Sequence, residues 1–273
     1  MRSYLTLFHT FVLCIAFGVS SAPVLAQQAP DYAGLDHVEF FVTDLDRSLA
    51  FYTRLFGTDL WKNRQTERRY LMLGANYLAL EERTEPVIDH ICYGILDFNI
   101  DAVHQYLDRE ALAWENYPSG RDLRVDDRDG IRTQLAANNT WAQLKDATAA
   151  PQSYPQTGPP VFNALRLDEV SLSVTNLEVD SLHYARLLGS TGILQAGSLW
   201  FTFGNSRLRL VQTPVGEQPG VVYFSILISN TDLEAAADAV FAAGGIIENI
   251  LPDGFSFWDP DGHRVVVHTA NML

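Results

Sequence analysis

Hydrophobic and polar positions along the chain follow a cycle that begins near residue 30. The first cycle opens with a β-type run from Leu35 to Val42 and continues into the amphipathic segment DLDRSLAFYTRLFG. The apolar positions of this segment recur at helical spacing, namely Leu45, Leu49, Tyr52, Leu55 and Phe56. Asp44 or Asp46 can cap the start of the helix, and Gly57 can end it in a left-handed conformation.

Two strands and a second cycle follow in the same order. The segment RRYLMLGANYLALEE predicts two strands around a Gly-Ala-Asn turn. VIDHICYGIL then predicts a new first strand, FNIDAVHQYLDREAL a helix, and LRVDDRDGIRTQLAA a hairpin that turns at Asp129 and Gly130. Each cycle combines one helix with several strands, which indicates an α+β fold built from βαβββ units.

The chain also repeats itself at a constant offset. The segment LDHVEFFVTDLDRSLAFYTRLFG, residues 35–57, returns 132 positions later as LDEVSLSVTNLEVDSLHYARLLG. The turns DRDG and DPDG, which begin at Asp127 and Asp259, have the same offset. Duplication explains the agreement, so we predict four units in two pairs. The second copy differs at one important position, because His37 is replaced by Glu169.

The rear half continues the pattern after a proline-rich segment. SLWFTFG and SRLRLVQT predict strands, VVYFSILIS another first strand, TDLEAAADAVFAAGG a helix and FSFWDPDGHRVVVHT the closing hairpin. Residues 147–161 contain four prolines and no charge, and cannot form a regular helix or a central strand. We therefore predict a front module at residues 30–146, a linker at 147–161 and a rear module at 162–273.

The first 26 residues have the features of a secretory signal peptide. Arg2 precedes an apolar run from about Leu5 to Val19, and a small-residue cleavage site ends at Ala26. An uncleaved membrane anchor is the alternative, but the run is short for a membrane span and no stop-transfer flank follows. We expect cleavage after Ala26 and export, either to a periplasm or out of the cell.

Composition adds constraints on partners and stability. The formal net charge of −14 becomes −15 without Arg2, and such an acidic surface repels nucleic acid and anionic membranes. Without the signal peptide the chain keeps only Cys92, so no internal disulfide forms and the hydrophobic core must supply the stability. We expect a small-molecule substrate or ligand, and a chain with all four units can complete its own cups as a monomer.

These motifs resemble the vicinal oxygen chelate superfamily, which includes glyoxalase I, extradiol dioxygenases, fosfomycin-resistance enzymes and bleomycin-binding proteins. The resemblance rests on the hairpins DRDGIRTQL and DPDGHRVVV and on His37, Asp44, Leu45, Ser48, Phe51, Tyr52, Gly57 and His90. It covers nearly the whole chain after the signal peptide. It implies two tandem modules, in which each pair of units forms a cupped mixed β-sheet flanked by helices.

The resemblance also implies a divalent-metal site in the front cup, with ligands from the first and last strand of each unit. Carried over by position, the ligands are His37, His90 and Gln134, and the fourth position holds Ala79. The family usually has Glu at the positions of Gln134 and Ala79. Two imidazoles and a carboxylate suit Fe(II) or Mn(II) with open coordination positions. Because Gln134 supplies a neutral amide instead of a carboxylate, the site has less negative charge and a lower affinity for the metal. Fe, Mn, Ni and Zn are the candidate metals.

Each candidate ligand has a plainer alternative. His37 and His90 can be core histidines with satisfied hydrogen bonds, although their matching positions in sister units favour a role as ligands. Gln134 can bond a bound molecule without any metal. Cys92 lies two residues after His90, and we expect it to face the cup as a buried, inert thiol.

Two carboxylates are candidates for a catalytic base. Glu39 lies two residues after His37, and Glu81 lies two residues after Ala79, so strand alternation directs both towards the cup. Glu81 can also supply the missing carboxylate ligand. Alternatively it is a surface charge at the end of its strand, because other charged residues follow it.

The rear cup has a different set of residues at the equivalent positions. They are Glu169, Arg209, a residue within Val221–Tyr223, and Val266. A guanidinium beside a carboxylate disfavours a bound cation, and valine cannot bind a metal. His268 lies on the same face but cannot form a site alone. We therefore expect that the rear cup has lost the metal and serves as a structural partner or an accessory pocket.

Two functions stay open from the sequence. The first is an exported metal-dependent enzyme whose front cup acts on a small oxygenated molecule by dioxygenase-, glyoxalase- or lyase-type chemistry. The second is a metal-free protein that sequesters a small molecule, as bleomycin-binding relatives do, with Trp61, Trp114 and Trp141 as candidate aromatic walls. Metal content distinguishes the two.

Overall fold

The structure of the protein is a computed structural model that describes residues 28–155, 158–229 and 232–270. The predicted signal peptide, residues 1–26, lies outside the described residues. Within the described ranges, no helix is both long enough and apolar enough to cross a membrane.

Each half of the described chain supplies its own strands and helices. The front half contains β1 (Tyr32–Val42), α1 (Leu45–Phe56), β2 (Leu60–Asn63), β3 (Arg69–Leu73), β4 (Asn76–Glu82), β5 (Val87–Ile95), α2 (Ile100–Arg109), β6 (Glu115–Asn116), β7 (Leu123–Asp126), β8 (Arg132–Ala137), α3 (Thr140–Ala147) and β9 (Ala149–Pro151). The rear half contains β10 (Ala164–Val174), α4 (Leu177–Leu188), β11 (Ile193–Gln195), β12 (Ser198–Phe203), β13 (Ser206–Gln212), β14 (Gly220–Ile228), α5 (Leu233–Ala242), β15 (Ile246–Leu251), β16 (Gly254–Trp258) and β17 (Arg264–Thr269).

Each half forms one mixed sheet from its own two units. The front sheet has the order β6-β7-β8-β5-β1-β4-β3-β2-β9, and the rear sheet has the order β11-β12-β13-β10-β14-β17-β16-β15. At the centre of each sheet the first strands of the two units pair antiparallel, β1 with β5 and β10 with β14. The units therefore pair within a half. The predicted α+β fold of four βαβββ units in two tandem modules is confirmed.

The first helix shows how local sequence sets the element boundaries. Asp44, rather than Asp46, is the N-cap of α1, and its carboxylate accepts the backbone N–H of Arg47 at 2.9 Å. Gly57 ends the helix with a φ of 98°, in the left-handed region that glycine tolerates best. The predicted apolar face is buried and consists of Leu45, Leu49, Tyr52, Leu55 and Phe56.

The sequence pattern missed α3 and the short strands β2, β6, β9, β11 and β15. α3 is capped by Asn139 and has few apolar positions, so its periodicity is weak. It is held by tertiary contacts instead, because Trp141 packs against Tyr70 and Tyr77. β9 lies within the segment predicted as a linker and pairs with β2 at the edge of the front sheet.

The two halves share one hydrophobic core. Phe40 of β1 stacks on Phe224 of β14 with ring centroids 5.9 Å apart, and Phe51 of α1 meets Phe257 of β16 at 6.0 Å. All four rings are almost fully buried. Burial of apolar surface across the boundary joins the halves into one body.

Hydrogen bonds from the rear hairpin hold the first helix of the front half. The hydroxyl of Tyr52 in α1 donates to Asp259 at 2.8 Å. Asp261 of the same hairpin accepts both the backbone N–H and the hydroxyl of Thr43, at 2.9 and 2.5 Å. The DPDG turn therefore binds the start of α1.

The front hairpin holds the first helix of the rear half in the same way. The hydroxyl of Tyr184 in α4 donates to Asp127 at 2.9 Å, and Asp129 accepts the N–H and the hydroxyl of Thr175, both at 2.6 Å. The DRDG and DPDG turns, which recur at the constant offset, therefore have the same role towards opposite halves. We call these two sets of contacts the interlock.

Two glycines permit a second reciprocal contact between the halves. Gly204 has a φ of 53°, and a Cβ atom there would lie 2.2 Å from the carbonyl oxygen of Ala33. Gly74 has a φ of 64°, and a Cβ atom there would lie 2.5 Å from the carbonyl oxygen of Leu165. Any side chain at either turn would push the halves apart.

We predict that the Tyr184→Phe change destabilises the protein by about 1–3 kcal/mol, because it removes a partner from a buried carboxylate. Tyr52→Phe has the same effect at the other end of the interlock. The free energy of unfolding in urea measures both. Tyr154→Phe is the matched control, since its hydroxyl makes only an exposed bond of 3.4 Å to Asp46. Equal stability of Tyr184→Phe and Tyr154→Phe would contradict the interlock.

Candidate functional site

Strand pairing brings the two predicted histidines side by side in the front sheet. In the antiparallel register of β1 and β5, Glu39 is opposite His90 and His37 is opposite Cys92. The parallel register of β5 and β8 then places Gln134 beside Cys92. The three predicted ligands thus lie on three adjacent strands and project from the same face.

The three side chains converge on one point. The Nε2 atom of His37 lies 3.2 Å from the Nε2 atom of His90 and 3.1 Å from the Oε1 atom of Gln134. All three residues are buried. The structure therefore brings together the residues that the sequence predicted as ligands.

The residue before each histidine fixes the orientation of its ring. The Nδ1 atom of His37 bonds to Asp36 at 3.0 Å, and the Nδ1 atom of His90 bonds to Asp89 at 2.8 Å. A carboxylate only accepts hydrogen bonds, so each Nδ1 atom carries the proton and each Nε2 atom keeps a free lone pair. The repeated Asp-His dipeptide was the signal in the sequence, but we did not assign it a role there.

The amide of Gln134 is oriented in the same manner. Its Nε2 atom donates to Asp122 at 2.9 Å, which directs the Oε1 atom towards His37. Asp122 was not predicted as a site residue, because it lies in the loop before β7 and only the folded chain brings it to β8.

This donor set fits a divalent metal. Two imidazole lone pairs and one carbonyl oxygen face each other at about 3 Å, and a cation between them relieves the repulsion. Nitrogen and oxygen donors on one side of a site suit Fe(II), Mn(II), Ni(II) or Zn(II). Carboxylates on the far nitrogen of each imidazole are the usual support of metal-binding histidines.

The two supporting carboxylates have different anchors. Asp36 accepts the backbone N–H of Thr140 at 3.1 Å and also its hydroxyl, so the start of α3 holds it. Asp89 accepts two bonds from the Nη1 atom of Arg132, at 3.2 and 3.1 Å. One histidine therefore depends on α3, an element that the sequence pattern missed, and the other depends on the start of β8.

Glu39 occupies the space beside Ala79. These two residues are opposite each other in the register of β1 and β4, and the Oε2 atom of Glu39 lies 3.8 Å from the Nε2 atom of His90. The Oε1 atom pairs with Arg68 at 2.5 Å. Burial raises the pKa of Glu39 to about 8, although the charge of Arg68 acts in the opposite direction. A carboxyl group that titrates near neutral pH suits proton transfer.

The ligand role of His90 depends on the neutral form of its ring. Burial lowers the pKa of His90 to about 4, although the hydrogen bond that its Nδ1 atom donates to Asp89 acts in the opposite direction. The imidazole is therefore neutral at pH 7 and keeps the lone pair on its Nε2 atom.

Glu81 does not reach the histidines. Its Oε2 atom accepts bonds from Arg68 at 2.7 and 3.1 Å, and its Oε1 atom pairs with Arg83. The side chain is absent from the described lining of the cavity that contains the histidines. Its predicted role as a base or as a replacement ligand has no support in this geometry, because both oxygens are paired with guanidinium groups.

A cavity of about 220 Å³ opens above the converging ligands. Tyr70, Tyr77 and Tyr117 form its aromatic walls, and α3 and the loop before β7 close it from above. The hydroxyl of Tyr117 is buried without a hydrogen-bond partner. Cys92 is fully buried on the floor side, and burial raises the pKa of its thiol, which agrees with an inert residue.

The tryptophans predicted as walls have other roles. Trp61 and Trp141 pack edge to face with ring centroids 4.9 Å apart, and Trp114 stacks on His104 at 3.8 Å. None of the three appears among the described residues that line the cavity.

The rear cup has no comparable set of metal ligands at the equivalent positions. The register of its strands identifies them as Glu169, Arg209, Tyr223 and Val266. Glu169 pairs with Arg207 at 3.0 Å and accepts a hydrogen bond from the hydroxyl of Tyr223. The predicted ion pair is therefore present, but Arg207 forms it instead of Arg209.

Comparison with known proteins supports the resemblance. Residues 34–109 match the family described as the Glyoxalase/Bleomycin resistance protein/Dioxygenase superfamily, and this range contains both histidines. No curated protein matches the chain. The predicted resemblance to the vicinal oxygen chelate superfamily is confirmed.

Several solved structures have the same fold at low sequence identity. The 2,3-dioxygenase LapB from Pseudomonas sp. KL28 is 17% identical with a TM-score of 0.67, over 90% of this chain and 94% of that one. Homoprotocatechuate 2,3-dioxygenase from Arthrobacter globiformis is 18% identical with a TM-score of 0.65, over 89% and 81%. The E323L mutant of the enzyme from Brevibacterium fuscum is 16% identical with a TM-score of 0.67, over 89% and 73%.

We predict that His37 and His90 both carry their proton on Nδ1 in the metal-free protein at neutral pH. Long-range nitrogen–proton NMR correlations distinguish the two tautomers. His263 is the internal control, because its Nε2 atom lies 2.8 Å from the carbonyl oxygen of Phe41 and must carry the proton there. A proton on the Nε2 atom of His37 or His90, as expected for His263, would contradict the proposed orientation.

Proposed function

We propose that the front cup is the divalent-metal centre of an enzyme that acts on a small molecule with neighbouring oxygen atoms, and that its chemistry is of the dioxygenase type. The observation that carries the proposal is the convergence of His37, His90 and Gln134 with their lone pairs inward. The likeness of the fold to extradiol dioxygenases supports the reaction class. Glyoxalase- and lyase-type reactions belong to the same family and stay as alternatives within it.

The metal would be held by the Nε2 atoms of His37 and His90 and by the Oε1 atom of Gln134. A bound divalent ion supplies Lewis acidity towards two neighbouring substrate oxygens and, when it is redox-active, access to dioxygen chemistry. The three protein ligands are neutral, so the charge of the ion is balanced by other groups. Glu39 is one candidate, because its Oε2 atom lies 3.8 Å from the Nε2 atom of His90.

The protein groups around the cavity transfer a proton, donate a hydrogen bond to the substrate and exclude water. Glu39 exchanges a proton at its Oε2 atom, which faces the histidines, while Arg68 holds its Oε1 atom in place. The unpartnered hydroxyl of Tyr117 is available to donate a hydrogen bond to a substrate oxygen. α3 covers the cavity and excludes water, which strengthens the electrostatic interactions inside.

We predict about one equivalent of metal in the protein purified without a histidine tag and reconstituted with Fe(II), Mn(II), Ni(II) or Zn(II). Elemental mass spectrometry measures it. The His37→Ala/His90→Ala double variant should hold none, because it loses both imidazole donors. His268→Ala is the matched control, since it removes a histidine of the rear cup, and it should retain the metal.

Equal metal content in the parent and the double variant would rule out the front-cup centre. If the parent binds no metal at all, the metal-free sequestration function becomes the better description. A rise in melting temperature with a small-molecule ligand would then identify that function, since binding to the folded state alone stabilises it.

We predict that Glu39→Gln retains the metal and slows turnover by about 10²–10⁴-fold, the usual contribution of a positioned base. Oxygen uptake or product formation with a panel of vicinal-diol and 2-oxoaldehyde substrates measures turnover. Glu81→Gln is the matched control, because Glu81 contacts the same arginine outside the cavity. Loss of metal from Glu39→Gln would instead make Glu39 a ligand, and a normal rate would exclude it as the base.

A further inference from the structure

The rear sheet has a block of polar side chains where the front sheet has its metal ligands. In the antiparallel register of β10 and β14, Glu169 is opposite Ser225 and Ser171 is opposite Tyr223. The parallel neighbour of Ser171 is Arg209. Since cross-strand partners share a face, these five side chains lie together in the rear cup.

The charge of Glu169 is already compensated. Arg207 pairs with it at 3.0 Å, and the hydroxyl of Tyr223 donates to its other oxygen. Arg209 is different, because among the described residues no carboxylate lies within 4.0 Å of its guanidinium group. Its Nε atom donates to the hydroxyl of Ser198 at 3.0 Å.

The position of Arg209 is fixed in spite of its unpaired charge. Its guanidinium group lies over the ring of Trp200, 5.5 Å from the ring centroid. Together with the bond to Ser198, this contact holds the group on the face of the sheet. Arg209 is therefore a fixed cation without a counter-charge. Its position in the strand register is equivalent to that of Ala79 in the front sheet.

Two buried serines beside this cation have no hydrogen-bond partner. Ser171 and Ser225 are each only 1% exposed, and neither hydroxyl has a partner in the structure. A buried hydroxyl without a partner costs free energy, typically about 1–3 kcal/mol. Both hydroxyls lie on the cup face, next to Arg209 and Glu169 respectively, so a group with several acceptor oxygens would satisfy them.

The local charge balance favours an anion, although the whole chain is strongly acidic. Three arginines pair with three carboxylates in this region, namely Arg166, Arg207 and Arg264 with Asp168, Glu169 and Glu248. Arg209 has no carboxylate partner among the described residues, which leaves one positive charge in excess. The chain as a whole has a net charge of −14, so the rear cup is a local exception. A cleft of one charge sign concentrates ligands of the opposite sign.

Part of the rear cup is accessible to solvent. Trp200, Arg209 and Val266 are half-buried. The ring of Trp200 contacts the cation, and the aliphatic side chain of Val266 lies next to Ser225 on the same face, so both provide apolar walls.

We propose that the rear cup is a second, metal-free ligand site, which binds the carboxylate of a small organic anion through Arg209, Ser171 and Ser225. The guanidinium group of Arg209 binds the carboxylate oxygens of the organic anion, in the role that we propose for the metal in the front cup. The serine hydroxyls donate to the same oxygens, and Trp200 and Val266 contact the organic part. The site is independent of the metal chemistry proposed for the front cup.

Benzoate is the probe, and two measurements follow its binding. The melting temperature rises with bound ligand, and the fluorescence of Trp200, which contacts Arg209, changes with it. Binding should persist in the His37→Ala/His90→Ala variant, which has no front-cup site. Arg209→Gln should weaken it by about tenfold or more, the value of one charge-assisted bond. Arg54→Gln is the charge-matched control and should bind as the parent does.

The Ser171→Ala/Ser225→Ala variant separates a ligand role from a structural one. Removal of two unpartnered hydroxyls should leave the ligand-free protein as stable as the parent or more stable, yet weaken benzoate binding several-fold. Inorganic phosphate tests whether the rear cup binds oxyanions without selectivity. We expect it to bind more weakly than benzoate. The proposal is overturned if the parent does not bind benzoate, if Arg209→Gln binds it normally, or if phosphate binds and benzoate does not.

Discussion

The interlock between the two halves is the constraint on which the rest of the molecule depends. Asp127 and Asp129 of the front hairpin hold α4, and the DPDG turn of the rear hairpin holds α1. The front hairpin leads directly into β8, which carries Arg132 and Gln134. Contact with the rear half therefore fixes the strand that supports one of the two converging histidines and supplies the third donor. A module without its partner would lose this restraint, although the site lies wholly in the front half.

The site itself is a consequence of strand register and of one repeated dipeptide. Antiparallel pairing of the two first strands brings His37 and His90 within 3.2 Å, and the aspartate before each turns its lone pair inward. Neither effect needs a loop. Donors held by central strands lose little conformational freedom when they bind a ligand, which is the physical advantage of building a binding site in this way.

The two proposed sites divide two kinds of recognition between the copies of one duplicated scaffold. In the front cup neutral donors surround a point where a cation fits. In the rear cup Arg209 supplies the cation within the protein, and Arg207 with Tyr223 occupies the carboxylate that replaced the first histidine. The replacement of His37 by Glu169 is therefore accompanied by a second change in charge, because Arg209 stands where the front sheet has Ala79.

The sequence by itself determined the number and order of the units and the pairing of residues at a constant offset, and its resemblance to the vicinal oxygen chelate superfamily implied the donors His37, His90 and Gln134. Periodicity and duplication are local properties of the chain, so they can be read without coordinates. The tertiary structure decided what depends on distance and charge. It assigned Glu39 rather than Glu81 to the cavity, because Arg68 and Arg83 neutralise Glu81. It also formed α3, whose few apolar positions gain stability only by packing on the front sheet.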